Sequence, residues 1–330
     1  MSLNYQRFLG NLDGDVAAVV DAGLARATNR PNNMARVAAA LSLPKQALFH
    51  VTYALMRAID DFVDEDFMAR APAERTETRA AAMATVDRWQ AQAEAASAGR
   101  FAAGPDALDP LLFDVMNKIV GASAIGAGPW QALAGAMRAD IAEDALPDWA
   151  AFADYAEGAA VAPASIFIYI LAADVSDDLS SDIALPLPPA DYARDLAIFC
   201  YLVHILRDLS DDAGRADRLL TIPDCVLAAC GLDKPALARA SAGDRSVDVA
   251  PLSRAIVAHA DSFRAASKIA IADLSMHIGV RERAVIETLF VLYDAQFAAI
   301  GDRPDGIADG SVALDKAAIG AILRRLDGAR

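Results

Sequence analysis

Two short stretches hold the residues best able to do chemistry. Tyr53, Arg57, Asp60 and Asp64 advance by four, three and four positions, which sets a phenol, a guanidinium and two carboxylates on one face of a helix. Tyr201, His204, Asp208 and Asp212 repeat that geometry, with Arg207 beside them. Like-charged carboxylates one turn apart repel by a few tenths of a kcal/mol on an exposed helix, roughly. Buried together they require cations. Oxygen ligands with no cysteine and at most one histidine suit Mg2+, which keeps several waters and bridges one or two carboxylates to substrate phosphates. The two sets therefore read as carboxylate rims holding Mg2+ over a diphosphate, with arginines neutralising charge. An acidic run such as Asp60–Asp66, taken alone, is ordinarily a solvated helix end. Its recurrence with the same spacing and an arginine, inside apolar helices, selects the metal–diphosphate reading.

The elements that must position these residues are helices. Apolar residues recur at helical spacing, as in Leu48, Val51, Leu55, Ile59 and Phe62, and nothing reads as alternating strands between tight turns. The pattern predicts helices over Asp15–Asn29, Pro44–Asp66, Pro72–Gly99, Asp109–Val120, Trp130–Glu143 and Trp149–Ala173. Further helices are predicted over Ala190–Asp211, Ser253–Met276, Arg281–Ile300 and Ala313–Leu326. The breaks between them are short and no repeat or linker divides the chain, so a single all-α domain spanning 1–330 follows. Gly121–Gly128 lacks both the dinucleotide fingerprint and a preceding strand and reads as an interhelical turn. Trp89, Trp130, Trp149, Met34, Met56, Met116 and Met137 read as core residues.

Composition sets the outer limits. The 330 residues are 55% hydrophobic and 23% charged, which excludes disorder. A net charge of −15 argues against nucleic acid and against a polybasic dock on lipid. Cys200, Cys225 and Cys230 are too few and too oddly spaced for a disulfide framework or a zinc site. The apolar stretch Ala159–Ala173 is interrupted by Pro163 and falls short of the ~18 residues of a spanning helix, so a buried helix is expected. With no secretory signal in the N-terminal residues, the expectation is a cytoplasmic protein with no transmembrane segment.

These motifs resemble those of the squalene/phytoene synthase family. Tyr53-Ala-Leu-Met-Arg57-Ala-Ile-Asp60-Asp61-Phe-Val-Asp64 is similar to that family's first aspartate-rich signature, and His204-Ile-Leu-Arg207-Asp208-Leu-Ser-Asp211-Asp212-Ala-Gly-Arg215 to its second. Met137-Arg138-Ala139-Asp140, Asp217–Pro223 and Leu292-Tyr293 resemble three further family segments. The resemblance implies an isoprenoid-synthase-type helical bundle around a central cavity, and a prenyltransferase condensing two farnesyl or geranylgeranyl diphosphates head to head. It implies Mg2+ on Asp60, Asp64, Asp208 and Asp212. Tyr53, Arg57, His204, Arg207, Arg215 and Tyr293 would contact substrate. NADPH, which squalene-forming members require, has no motif here.

The chain departs from the family pattern at several positions. His204 stands where the family usually has Asn and Tyr201 where it has Gln, so His204 either serves the diphosphate and its carboxylates or is a hydrogen-bonded structural residue. Tyr155-Ala-Glu157-Gly158 replaces a tyrosine-rich run that guides the later rearrangement. Asn32 and Asn33 either bind phosphate or cap a helix. Two other readings of the same residues stand: a class I terpene cyclase or chain-elongating synthase, and a non-catalytic relative acting as an assembly factor. Asp208-x-x-Asp211-Asp212 does not fit the elongator pattern, and retention of all four aspartates opposes the assembly factor.

Overall fold

The computed structural model describes residues 3–29, 32–121, 123–215 and 221–329, the side chains of residues 3, 214, 215 and 329 excepted. Its order is α1 (Leu3–Leu9), α2 (Gly14–Asn29), α3 (Asn33–Ala38), α4 (Leu43–Asp61), α5 (Pro72–Ser97), α6 (Pro110–Ile119), α7 (Gly128–Ala142), α8 (Trp149–Ala156) and α9 (Ala162–Ala172). There follow β1 (Asp174–Val175), β2 (Ser181–Asp182), α10 (Pro189–Arg215), α11 (Asp224–Ala229), α12 (Lys234–Ser241), α13 (Ala250–Leu274), α14 (Val280–Asp302) and α15 (Lys316–Leu323). The all-α single domain expected from periodicity is the observed architecture.

Three local features differ from the sequence reading. β1 and β2 form an antiparallel hairpin with Asp174 opposite Asp182; two-residue strands are too short to show an alternating pattern. The short helices α1, α3, α11 and α12 carry too few turns to establish an apolar period. Two of the expected continuous helices also contain π-turns. Phe62–Phe67 widens the end of α4, with Met68 N–H donating to the Val63 carbonyl at 2.9 Å, and Glu157–Val161 separates α8 from α9. Pro163 follows the second π-turn, where the regular hydrogen-bond ladder is already interrupted and its missing N–H does least harm.

The helix directions define a long axis through the bundle. Lys45, in the first turn of α4, donates to the Leu171 carbonyl at the end of α9 and to Glu282 Oε1 at the start of α14, at 2.8 and 2.9 Å. Asp60 lies fifteen positions further along α4, which is about 22 Å at the helical rise. One end of the bundle is thus closed by a buried ion pair, and the other carries the aspartates. Between them α9 is almost wholly apolar, with Ile166 through Leu171 all buried. Trp149–Ala172 and Val280–Asp302 are long and apolar enough to cross a membrane, but 61% and 56% of their most apolar windows are buried inside the molecule.

Close helix packing holds α4 in place. A Cβ on Gly23 of α2 would lie 2.2 Å from the His50 carbonyl oxygen of α4, so only glycine allows this approach. Gly23→Ala is expected to destabilise the protein by about 1–3 kcal/mol, the usual range for overpacking. Thermal unfolding of the variant beside the parent checks this, and an unchanged midpoint would show that the helices part freely.

Candidate active site

Nine of the ten site residues named from sequence meet in one cavity of about 470 Å3. Tyr53, Arg57, Asp60, Asp64, His204, Arg207, Asp208, Asp212 and Tyr293 all line it. The tenth, Arg215, ends α10 with its side chain outside the described residues, as are Asp217–Leu220 of the neighbouring segment. α4 and its π-turn supply the first set, α10 the second and α14 supplies Tyr293. Asp60 and Asp64 are therefore not one regular α-turn apart as the spacing predicts, because the backbone widens after Asp61.

The electrostatics tie the two sets together. Burial, reinforced by Asp60, Asp212 and Asp61 and opposed by Arg57, pushes the Asp64 carboxyl from 3.8 up to about 7. Asp64 of the first set thus feels Asp212 of the second. Arg57 pairs with Asp60 and Asp61. Burial works against the Arg57 charge, but those two carboxylates outweigh it and hold the guanidinium above its ordinary range. Arg207 grips Asp208 through one guanidinium edge, Nε and Nη2 donating to the two carboxylate oxygens at 2.6 and 2.5 Å. This fork geometry is matched equally well to a phosphate.

His204 resolves into a neutral ring. Burial, then Arg207, lowers its pKa to about 3 against a partial offset from Asp208, and Nε2 shares a 2.7 Å hydrogen bond with the Tyr293 hydroxyl. Tyr293 is itself raised far above the usual phenol range, chiefly by burial, and also bonds Asn33. His204 thus lines the cavity while hydrogen-bonded to Tyr293. Asn32 takes the capping role expected of that segment, accepting from Ala35 N–H at 3.2 Å, and also donates to the Tyr53 hydroxyl at 2.8 Å.

Several lining residues escaped the sequence-derived site. Tyr155 donates to Asp140 at 3.1 Å and bonds Tyr201, whose hydroxyl donates to Thr221 at 3.0 Å. Asp140, Tyr155, Thr221 and Met68 also line an adjoining cavity of about 420 Å3. Met34 and Met56, expected to be plain core residues, line the site as well. The Met-x-x-Asp helix was a signal for Asp140, whereas no local pattern marks Thr221. Trp89 and Trp130 are buried as expected, while Trp149 is half-buried and stacks on His259 with ring centroids 3.7 Å apart. Gly121–Gly128, residue 122 aside, is the α6–α7 turn.

The donor set fits Mg2+ held in part by substrate. Among the described residues no three ligating side chains converge as a ready-made metal cage. Hard carboxylates instead face one another across open space, and the raised Asp64 shows that its charge is undercompensated. Such a site favours an ion that keeps waters and completes its shell with phosphate oxygens.

Comparison with known proteins agrees with this geometry. A family model described as squalene/phytoene synthase matches residues 29–317, and the chain belongs to that family. Its members are prenyltransferases, so the protein is an enzyme of the head-to-head isoprenoid synthase class. Among solved structures, a dehydrosqualene synthase in complex with ligand superposes with a TM-score of 0.69 at 14% identity, covering 98% of this chain and 97% of that one. Squalene synthase HpnC from Alicyclobacillus acidocaldarius superposes with a TM-score of 0.64 at 17% identity, covering 90% of this chain and 98% of that one. These likenesses establish the shared fold. No curated relative matches the chain.

The raised Asp64 makes a signed pH prediction for metal-free protein. A carboxyl whose folded pKa lies above its unfolded value favours folding less as pH rises, so its penalty grows from about pH 4 to about pH 7 and then stays constant. Asp64→Asn should stabilise the chelator-treated protein at pH 8 by up to a few kcal/mol, order of magnitude, with no gain at pH 4. Denaturant unfolding at the two pH values checks it, and equal effects at both would remove the charge-burial account.

Proposed function

We propose that this enzyme is a Mg2+-dependent prenyltransferase that condenses two allylic prenyl diphosphates head to head, releasing diphosphate. The observation that carries the reading is the convergence of both aspartate–arginine sets on a single cavity walled below by apolar helices. Asp60, Asp64, Asp208 and Asp212 would hold the metal ions. When bound, these ions neutralise charge on a departing diphosphate. Arg57, Arg207, Tyr53 and Tyr293 line the same space and would bind and orient phosphate oxygens. Substrate enters from the cytoplasm in this reading.

The chemistry asked of the protein is electrostatic. The carbon–oxygen bond of one allylic diphosphate ionises, and the double bond of the second substrate attacks the resulting cation. Loss of a proton then closes a cyclopropylcarbinyl diphosphate, which can ionise again and rearrange. Preorganised cations at the aspartate end and a dry cavity beneath them favour charge separation and keep water from the carbocation. Glu157, standing where the family has aromatics, is diverted into an ion pair with Arg194. Tyr201 and Tyr155 present phenol rings to the cavity instead, with centroids 6.4 Å apart. Their π faces are suited to a passing cation.

Asp60→Asn and Asp208→Asn are each expected to lower turnover by about 10²-fold or more, the scale of losing one electrostatic contact to developing charge. Both variants should stay folded. Incubation with Mg2+ and farnesyl or geranylgeranyl diphosphate, with and without NADPH, followed by mass analysis of organic extracts, reads the reaction. A C30 or C40 hydrocarbon supports the proposal, and its hydrogen count reports any reductive step. Cyclised or elongated single-chain products, or full activity in both variants, would refute it.

A further inference from the structure

Asn32 stands where α3 meets the aspartate site. It precedes the first helical residue of α3 with an extended backbone, φ −134° and ψ 114°, and both it and Tyr53 line the cavity. Its carboxamide offers an acceptor oxygen at one end and an NH2 donor at the other, and the fold uses both. Oδ1 accepts at 3.2 Å from Ala35 N–H, one of the backbone donors that a first helical turn leaves without an intrahelical partner. A cap bond of this kind needs an oxygen, so the NH2 group is left to face the other way. There it donates to the Tyr53 hydroxyl at 2.8 Å. The helix cap therefore decides which end of the amide meets the phenol.

That choice governs the proton of Tyr53. A phenol oxygen accepts through its lone pairs but carries a single O–H, and with Asn32 donating to it that O–H must point elsewhere. Among the described residues no acceptor takes it. The ring itself is fixed, because Phe49 stacks on it with centroids 5.5 Å apart and planes at 22°, and Tyr53 is only 8% exposed. A buried O–H without an acceptor is costly, and an oxyanion entering the cavity removes that cost. We propose that Asn32 is a positioning residue, which by donating to Tyr53 turns the phenol O–H toward the cavity for donation to an oxygen of the substrate diphosphate. The proposal rests on the prenyl diphosphate reading of the site. It adds the residue that sets the direction of one of the site's donors. Asn33 braces the same segment, with Oδ1 accepting from Arg36 at 2.8 Å and its side chain bonded to Tyr293 of α14.

The test is a double-mutant cycle on the full chain, read as Mg2+-dependent binding of inorganic pyrophosphate and of farnesyl diphosphate by calorimetry. Tyr53→Phe is made in three backgrounds: the parent, Asn32→Asp and Asn32→Ser. Asp and Ser cap a helix about as well as Asn, so the thermal unfolding midpoints of the two Asn32 variants should match the parent's. An ionised carboxylate only accepts, so Asn32→Asp draws the Tyr53 proton away from the cavity. Tyr53→Phe should weaken binding about tenfold or more in the parent, the scale of a hydrogen bond to a charged group. In Asn32→Asp the same change should cost less than about twofold, and repulsion between the new carboxylate and the diphosphate enters both arms and cancels. Asn32→Ser, which caps without charge and without reaching the phenol, should give an intermediate factor. The same factor in all three backgrounds, or no effect of Tyr53→Phe in the parent, would overturn the proposal. The expected coupling without head-to-head product would leave the role of Asn32 standing and remove only the proposed reaction. Product without coupling would remove only the role of Asn32, and failure of both probes to bind would remove both.

Discussion

The repulsion among carboxylates at one end of the bundle is the constraint that the remaining structure must satisfy. Asp64 is half-buried beside Asp60 and within electrostatic reach of Asp212, and desolvation followed by those like charges raises its pKa. Desolvating several like charges is tolerable only where cations stand close. Arg57 and Arg207 supply part of that charge, each already paired with carboxylates of its own set. A divalent ion and the phosphates it carries can complete the balance. The helices are held close, as in the contact between α2 and α4 that admits no Cβ on Gly23.

Function is divided along the axis of the bundle. Charge is gathered where the C-terminal ends of α4 and α10 approach one another. The opposite direction is apolar and includes the contact of Phe49 with Phe167, with the Lys45–Glu282 bridge below. That polarity matches a substrate with a dianionic or trianionic head and a hydrocarbon tail. The π-turns belong to the same design. One re-aims the acidic end of the first set, and the other sits where α8 passes into α9 beside Gly158, whose absent Cβ would lie 2.2 Å from the Ala132 carbonyl. Such turns often mark functional sites because one extra residue redirects the side chains that follow.

Departures from the family pattern make sense only as contacts. His204 is a neutral ring hydrogen-bonded to Tyr293, and Asn33 bonds the same hydroxyl. Glu157 turns to Arg194, while Tyr201 stacks on Phe152 with centroids 5.8 Å apart and bonds Tyr155. The aromatic surface missing from one helix is partly supplied by another. A residue-by-residue comparison of motifs registers the substitution and cannot register the compensation.

Much of this protein is legible in its sequence because helical periodicity is a local property. The spacing of Tyr53, Arg57, Asp60 and Asp64, and its echo at Tyr201, His204, Asp208 and Asp212, determines which side chains share a face, and the apolar stripes determine that the helices must bury one another. The proposal of a diphosphate and a hard cation starts from the residue types alone. Tertiary structure decided what those patterns leave open. Whether Asp64 faces Asp212, whether His204 meets a phosphate or a tyrosine, and whether Phe49 reaches Phe167 depend on how separate helices lie against each other. The π-turn after Asp61 belongs to the same class, since a one-residue change in hydrogen-bond register is set by packing. Contacts between residues as far apart as Lys45 and Glu282 arise from the joint burial of many helices, and no local spacing encodes them.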